Sequence, residues 1–358
     1  MLLQEFRPRS QLVTPITIVD KPRFPVIDAH NHLGYPFGGG WIDRPLEEIL
    51  AAMEQARVVG YVDLDGGWGE EILDMHLSRL APAAEKFRVF GGVEWAKWPQ
   101  LGDAFPAFAV ERLHAQHQRG AFGLKIWKPF GLHVRDERGD LVRVDDPRLD
   151  PLWQTAGELD MPVLVHVADP VAFFDSIDAT NERWEELGQH PDWAFTSPPF
   201  PPFLDILTGF RNLVARHPRT TFIGAHVGCY GENLAFGADM LDACPNYYID
   251  TSARLGELGR QPYTARRFFL RYADRILFGL DFGIHLAEYR LSYRFFESDD
   301  ESFNYNSGEI PRQGRWFVSG LHLPDDVLRK VYYDNAARLL RFPALMEKVS
   351  TDDTDFTD

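Results

Sequence analysis

Cysteine is nearly absent from this 358-residue chain: Cys229 and Cys244 are the only two, and they form no C-x-x-C pair. Two thiols make no disulfide framework, so a packed core has to hold the fold. Both read as small buried residues. Apolar runs of the ~18 residues that a membrane span needs are also missing. The opening MLLQEFRPRSQ has no apolar centre of the signal-peptide kind, and a cytoplasmic protein is expected. Basic charge is scarce, with 37 Lys and Arg against 53 Asp and Glu, a formal net charge of −16. Such a surface repels phosphate backbones and anionic headgroups, which argues against nucleic acid and membranes and for a small-molecule substrate. Two sequence signatures are missing as well. There is no G-x-G-x-x-G after the first apolar run, as a dinucleotide fold would want, and no G-x-S-x-G of a serine hydrolase.

What is present is alternation. The chain is 45% apolar, enough for a sizeable core. Short apolar runs at 26–29, 58–64, 87–95, 121–127, 161–167, 220–227, 246–252 and 275–281 read as strands. Helix-period segments separate them. In the first, Leu46, Ile49, Leu50 and Met53 fall on one face, and the segment at about 106–119 ends before Gly120, a helix stop. Further helices are read near 70–84, 149–160, 204–216, 232–243, 262–273 and 286–297. Strands separated by helices pair in parallel, and eight such units predict an α/β fold of the (β/α)8 TIM-barrel kind; an open doubly wound sheet is the alternative. One domain is expected over 1–345, ending in a helical extension, with an acidic disordered tail at 346–358. Stretches at 31–45, 168–203 and 298–324 exceed ordinary loops, and the last two read as inserted lids. Trp184, Trp193, Phe195, Phe200 and Phe203 suggest that the first lid is packed, and an aromatic-rich insertion of this sort is compatible with a homodimer.

Polar residues interrupt the strand ends. His30 and His32 close the first, and a period of two puts them on one face. Lys125 sits in the fourth, His166 near the end of the fifth, His226 at the end of the sixth and Asp281 at the end of the eighth. In a barrel these ends converge on one mouth, where active sites form. Each residue alone fits a satisfied core histidine or a helix cap. Together, four imidazoles and a carboxylate would be costly to bury without a divalent cation, which neutral imidazole and carboxylate bind well. The other histidines, among them His76, His114, His117, His133, His190, His217, His285 and His322, lie on helices and loops and read as surface or structural.

The segments VIDAHNHLG (26–34), GLKIW (123–127), PVLVHV (162–167), FIGAHVG (222–228), YIDTSARL (248–255) and RILFGLDFG (275–283) resemble the amidohydrolase superfamily, in its amidohydrolase-related branch, over about residues 24–341. The resemblance implies that His30 and His32 bind the more buried ion, and that His166 and His226 bind a more exposed one; in a one-metal member His226 would face the substrate instead. Asp281 would touch metal and act as the catalytic base. Lys125 falls where two-metal members carry a carbamylated lysine bridging both ions; the alternatives are a salt bridge or a substrate-binding cation. Two ions per chain are expected, zinc or else iron or manganese.

The leading expectation is hydrolysis of an ester, thioester, lactone or amide by a metal-activated hydroxide, with Asp281 and His226 catalytic. The alternative is metal-dependent non-oxidative decarboxylation of an aromatic or unsaturated acid, and a non-catalytic binding barrel is a third reading. For substrate contacts the candidates are Arg254, Asp250, Trp95 and Trp127. Arg254 could reach a carboxylate or pair with a surface acid. The tryptophans, with Trp68, could wall an apolar pocket for a hydrophobic organic substrate or merely pack the barrel.

Overall fold

The computed structural model describes residues 11–35, 38–305 and 312–344, so the tail expected over 346–358 lies outside the described residues, as does part of the 298–324 insertion. The eight expected strands are present: β1 Val26–Asn31, β2 Val58–Asp63, β3 Phe87–Gly91, β4 Gly123–Ile126, β5 Val163–Val165, β6 Phe222–Gly224, β7 Tyr247–Asp250 and β8 Ile276–Leu277. They pair in chain order, every pair parallel. The ring closes through the Ala29 amide on the Phe278 carbonyl (2.9 Å) and the Asp281 amide on the His30 carbonyl (3.0 Å). This is a (β/α)8 barrel, not an open sheet.

Eight helices return the chain: α1 Leu46–Gln55, α2 Glu70–Leu80, α3 Phe105–Arg119, α4 Asp150–Glu158, α5 Phe203–Arg216, α6 Leu234–Ala243, α7 Pro262–Arg271 and α8 Leu286–Glu297. On α1 the apolar stripe faces inward, with Ile49 and Met53 buried. Gly120 stops α3 at φ 111°, a left-handed turn that glycine adopts without strain. No described helix is long and apolar enough to cross a membrane.

Two apolar layers hold the barrel. Ile27, Val62, Phe90, Leu164, Ile223 and Leu277 fill its interior, and a larger layer joins strands to helices. The C-terminal extension, Asp325–Arg329, a π turn at Lys330–Asp334 and Asn335–Leu339, plugs the end opposite the mouth. It sends Ala336, Leu340 and Phe342 into the interior layer, and the Asn335 amide donates to the carbonyls of Ala273 (2.7 Å) and Ile276 (2.8 Å). Packing is tight at Gly123, where an added Cβ would stand 2.5 Å from the Phe90 ring and 2.7 Å from the Pro162 carbonyl. Gly123→Ala is expected to destabilise the chain by about 1–3 kcal/mol in urea unfolding. A loss well under that range would mean that the Phe90 ring swings aside freely.

Several strands stop earlier than their apolar runs. β6 ends at Gly224 because His226 and Val227 turn left-handed (φ 57° and 58°), and β8 ends at Leu277 ahead of Asp281 (φ 68°). A left-handed residue cannot continue a strand, and for β-branched Val227 the conformation is strained. The strain falls where the chain turns into the mouth.

Candidate metal centre

β1 delivers two imidazoles to the mouth. Its pairing with β2 shifts register between Asp28 and Asn31, the kind of irregularity that re-aims side chains. Ala29 thereby packs in the interior layer while His30 reaches across to the end of β7. His30 Nδ1 lies 2.8 Å from Asp250 Oδ2, and His32 Nδ1 lies 2.7 Å from Asp65 Oδ1. His226 Nδ1 lies 3.0 Å from the Ser252 carbonyl, which can only accept, so that nitrogen carries the proton. The same logic applies to His30 and His32 against carboxylates. All three rings are held from behind by Nδ1, and their Nε2 atoms turn to one carboxylate. Asp281 Oδ1 stands 3.0 Å from His32 Nε2 and 3.5 Å from His30 Nε2; Oδ2 stands 3.8 Å from His226 Nε2.

This convergence suits a metal ion. Bare imidazole lone pairs and a carboxylate do not gather without positive charge between them. One atom each from His30, His226 and Asp281 lie within 4.8 Å of one another, the span of a single ion's ligands. Burial pushes the His32 imidazole down, but Asp65 and Asp281 outweigh it and hold it up at about 9. Burial also raises the Asp281 carboxyl, yet His30, His32 and His226 bring it well below the usual carboxylate range. Burial, then the Arg254 charge, keeps His226 well below the usual imidazole range, which leaves it a neutral ligand.

His166 joins from β5: its ring centroid is 4.4 Å from that of His226, and burial pushes it down to about 4. Lys125 reaches the mouth from β4 and is 1% exposed, and its Nζ has no hydrogen-bond partner among the described residues. Burial lowers it to about 8, against the pull of Asp281 and Asp250. Its Nζ lies 5.1 Å from the Trp127 ring centroid, and Trp127 also lies 5.1 Å from the His32 ring. Trp127 therefore borders the centre.

Asp250 and Trp95, expected as substrate contacts, have protein partners in the structure. Asp250 is fully buried beneath His30, and its second oxygen accepts from the amides of His226 (3.1 Å) and Ser252 (3.0 Å) and from Ser252 Oγ (2.5 Å). It orients His30. Trp95 stacks on Phe130 at 4.6 Å and lies 5.8 Å from Phe105, so it packs α3 against the barrel. Trp68, likewise read as a pocket wall, is 48% exposed. Arg254 is buried, donates from Nη1 to its neighbour Ala253, and leaves Nε without a partner. It lies within the electrostatic reach of Glu186, Glu232 and Glu257 as well as His226.

Sequence reasoning missed Asp65, Asp169 and Lys128. Asp65 follows Asp63 by two at the end of β2, a weak D-x-D signal. Asp169 follows His166 by three and accepts from Lys128 Nζ at 2.6 Å, with nothing in the local sequence to mark the pair. Among the histidines set aside, His76 bonds Asp63 at 2.5 Å and His217 bonds Asp150 at 3.1 Å, both structural. Asp250→Asn is expected to weaken metal binding about 10–100-fold, as loss of a ligand's support does. Chelator competition measures it; unchanged affinity would show that His30 needs no such hold.

The amidohydrolase family profile matches residues 26–342. The chain belongs to the amidohydrolase family. No curated protein sequence matches this amidohydrolase. Solved structures do. A 2,6-dihydroxybenzoate decarboxylase from Rhizobium is 16% identical, with 88% of this chain and 98% of that one covered and a TM-score of 0.52. A dihydroxybenzoic acid decarboxylase from Polaromonas sp. JS666, with bound manganese, is 16% identical over 82% and 85% of the two chains, TM-score 0.52. A probable 2-pyrone-4,6-dicarboxylic acid hydrolase from Acinetobacter baumannii is 9% identical over 89% and 100%, TM-score 0.50. At such identities the likeness is one of fold.

Proposed function

We propose that this amidohydrolase is a metal-dependent hydrolase that cleaves an acyl bond, ester, thioester, lactone or amide, of a small hydrophobic organic substrate. Its ions would rest on His30, His32, His166, His226 and Asp281, with zinc, iron or manganese all compatible with imidazole and carboxylate. When bound, such a cation polarises the carbonyl and makes water a nucleophile near neutral pH. Asp281 accepts the proton of the attacking water and returns it to the leaving group. Trp127 borders the substrate, and Arg254 is the candidate for its polar end.

The observation that carries hydrolysis is Lys125, a buried amine without a hydrogen-bond partner beside the centre. An amine lowered to about 8 is neutral often enough to add to carbon dioxide, releasing one proton and leaving a carbamate. That carboxylate would bridge two ions, as the family resemblance implies. Decarboxylation is the second reading, favoured by the compact His30–His226–Asp281 group, which suits one ion.

The test pairs metal counting with a substrate panel. Chelation should abolish turnover of esters, thioesters, lactones or amides, and zinc, manganese or iron should restore it. If protein holding one ion leaves every acyl substrate intact and releases carbon dioxide from an aromatic acid, decarboxylation replaces hydrolysis.

A further inference from the structure

Three residues past His166, the chain enters the 168–203 insertion with a carboxylate. Asp169 is 7% exposed, and its two oxygens have different surroundings. Oδ2 accepts from Lys128 Nζ at 2.6 Å. Oδ1 stands 3.4 Å from His166 Nε2, and that nitrogen is buried with no hydrogen-bond partner. The separation lies beyond the 2.7–3.2 Å of an ordinary N–H···O bond. It does match two ligands of one ion: atoms each about 2.1 Å from a tetrahedral centre are ~3.4 Å apart. The His226 ring stands edge-on to His166, with centroids 4.4 Å apart.

We infer that Asp169 Oδ1 is a ligand of a second, outer divalent cation, shared with His166 Nε2, and that Lys128 is the positioning residue that aims it. This deepens the proposed function and rests on its reading of the mouth as a metal centre. The inner position would keep His32 with His30, His226 and Asp281, the last three offering ligand atoms within 4.8 Å of one another. The assignment explains why the Asp169 carboxylate stands 3.4 Å from His166 Nε2, farther than an ordinary hydrogen bond. It also couples the outer position to the insertion. Lys128 Nζ lies 5.7 Å from the Trp193 ring and 5.6 Å from that of Phe195, so the lysine that orients Asp169 is itself seated on insertion aromatics.

Full-length protein, stripped and reloaded with Co2+ or Zn2+ alone, tests this without any substrate. Bound ions are counted after equilibrium dialysis, affinities come from chelator competition, and circular dichroism monitors folding. Wild type is expected to take two ions per chain. Asp169→Asn is expected to keep one and to bind the second more than about 100-fold more weakly, because losing a ligand exceeds the 10–100-fold of losing a ligand's support. Lys128→Met should keep both ions and weaken the outer one within that smaller range. If Asp169→Asn fails to fold, Lys128→Met decides: selective weakening of one ion supports the assignment and no change overturns it. An Asp169→Asn protein with two ions bound within 100-fold of wild type overturns the ligand role and leaves the metal centre standing. Wild type that takes one ion only removes the outer position but spares the inner one. Wild type that takes none removes both this assignment and the reading it rests on.

Discussion

Asp281→Asn is expected to lower turnover by about 10²–10⁴-fold, the usual worth of a positioned general base. The amide is nearly isosteric with the carboxylate, so the left-handed turn at φ 68° and the bond from the Asp281 amide to the His30 carbonyl should survive. What changes is charge. Asp281 faces the Nε2 atoms of His30, His32 and His226, and its side chain is 20% exposed. An amide cannot take a proton from water, and it balances a cation less well. Metal content has to be measured beside the rate. A loaded mutant with near-normal turnover would remove Asp281 as the base, whereas loss of the ion itself would assign the fall to the ligand role.

Removing Glu257 should cost the fold about 3–5 kcal/mol, the penalty for stranding a buried charge. Arg183, 1% exposed, donates from Nη2 to Glu257 and from Nη1 to Glu186 at 2.7 Å. Glu257 is itself 1% exposed, and its carboxyl is lowered because Arg183 and then Arg254 outweigh its burial. Glu257→Leu leaves Arg183 with one partner in a space that water does not reach. Urea unfolding should record the loss. The double variant Arg183→Met with Glu257→Leu should recover most of it, since an apolar pair of similar volume replaces a buried ion pair at little cost. A single variant within about 1 kcal/mol of wild type would mean that solvent enters the cluster. The pair joins the insertion after β5 to the segment after β7, so the single variant should also loosen the wall that carries Arg254.

Much of the centre could be read before any coordinates were known. His30, His32, His166, His226 and Asp281 were visible because polar groups at the ends of apolar strands are conspicuous, and barrel topology brings strand ends together. The substrate contacts were less legible. Asp250 sits two residues before Ser252 on β7 and reads like a pocket residue. Its partner His30 lies 220 positions away, so no local pattern tells which way the carboxylate turns. Trp95 illustrates the same limit: its stacking partner Phe130 belongs to the next β/α unit. Of the aromatics expected to pack the first insertion, Phe195 and Phe203 are buried and Trp184 is 54% exposed, a distinction of packing that composition cannot make.

By itself, then, the sequence determined eight alternating units, their closure into a barrel and the residues delivered to the mouth. Those features follow from periodicity and from the rule that parallel strands need crossovers, both properties of short stretches of chain. Only the tertiary structure decided which nitrogen of each imidazole is free, that Asp250 and Asp65 serve the histidines, and that Asp169 faces His166. These depend on contacts between atoms that the fold alone brings within 3 or 4 Å, and contacts of that length are set by packing rather than by sequence spacing.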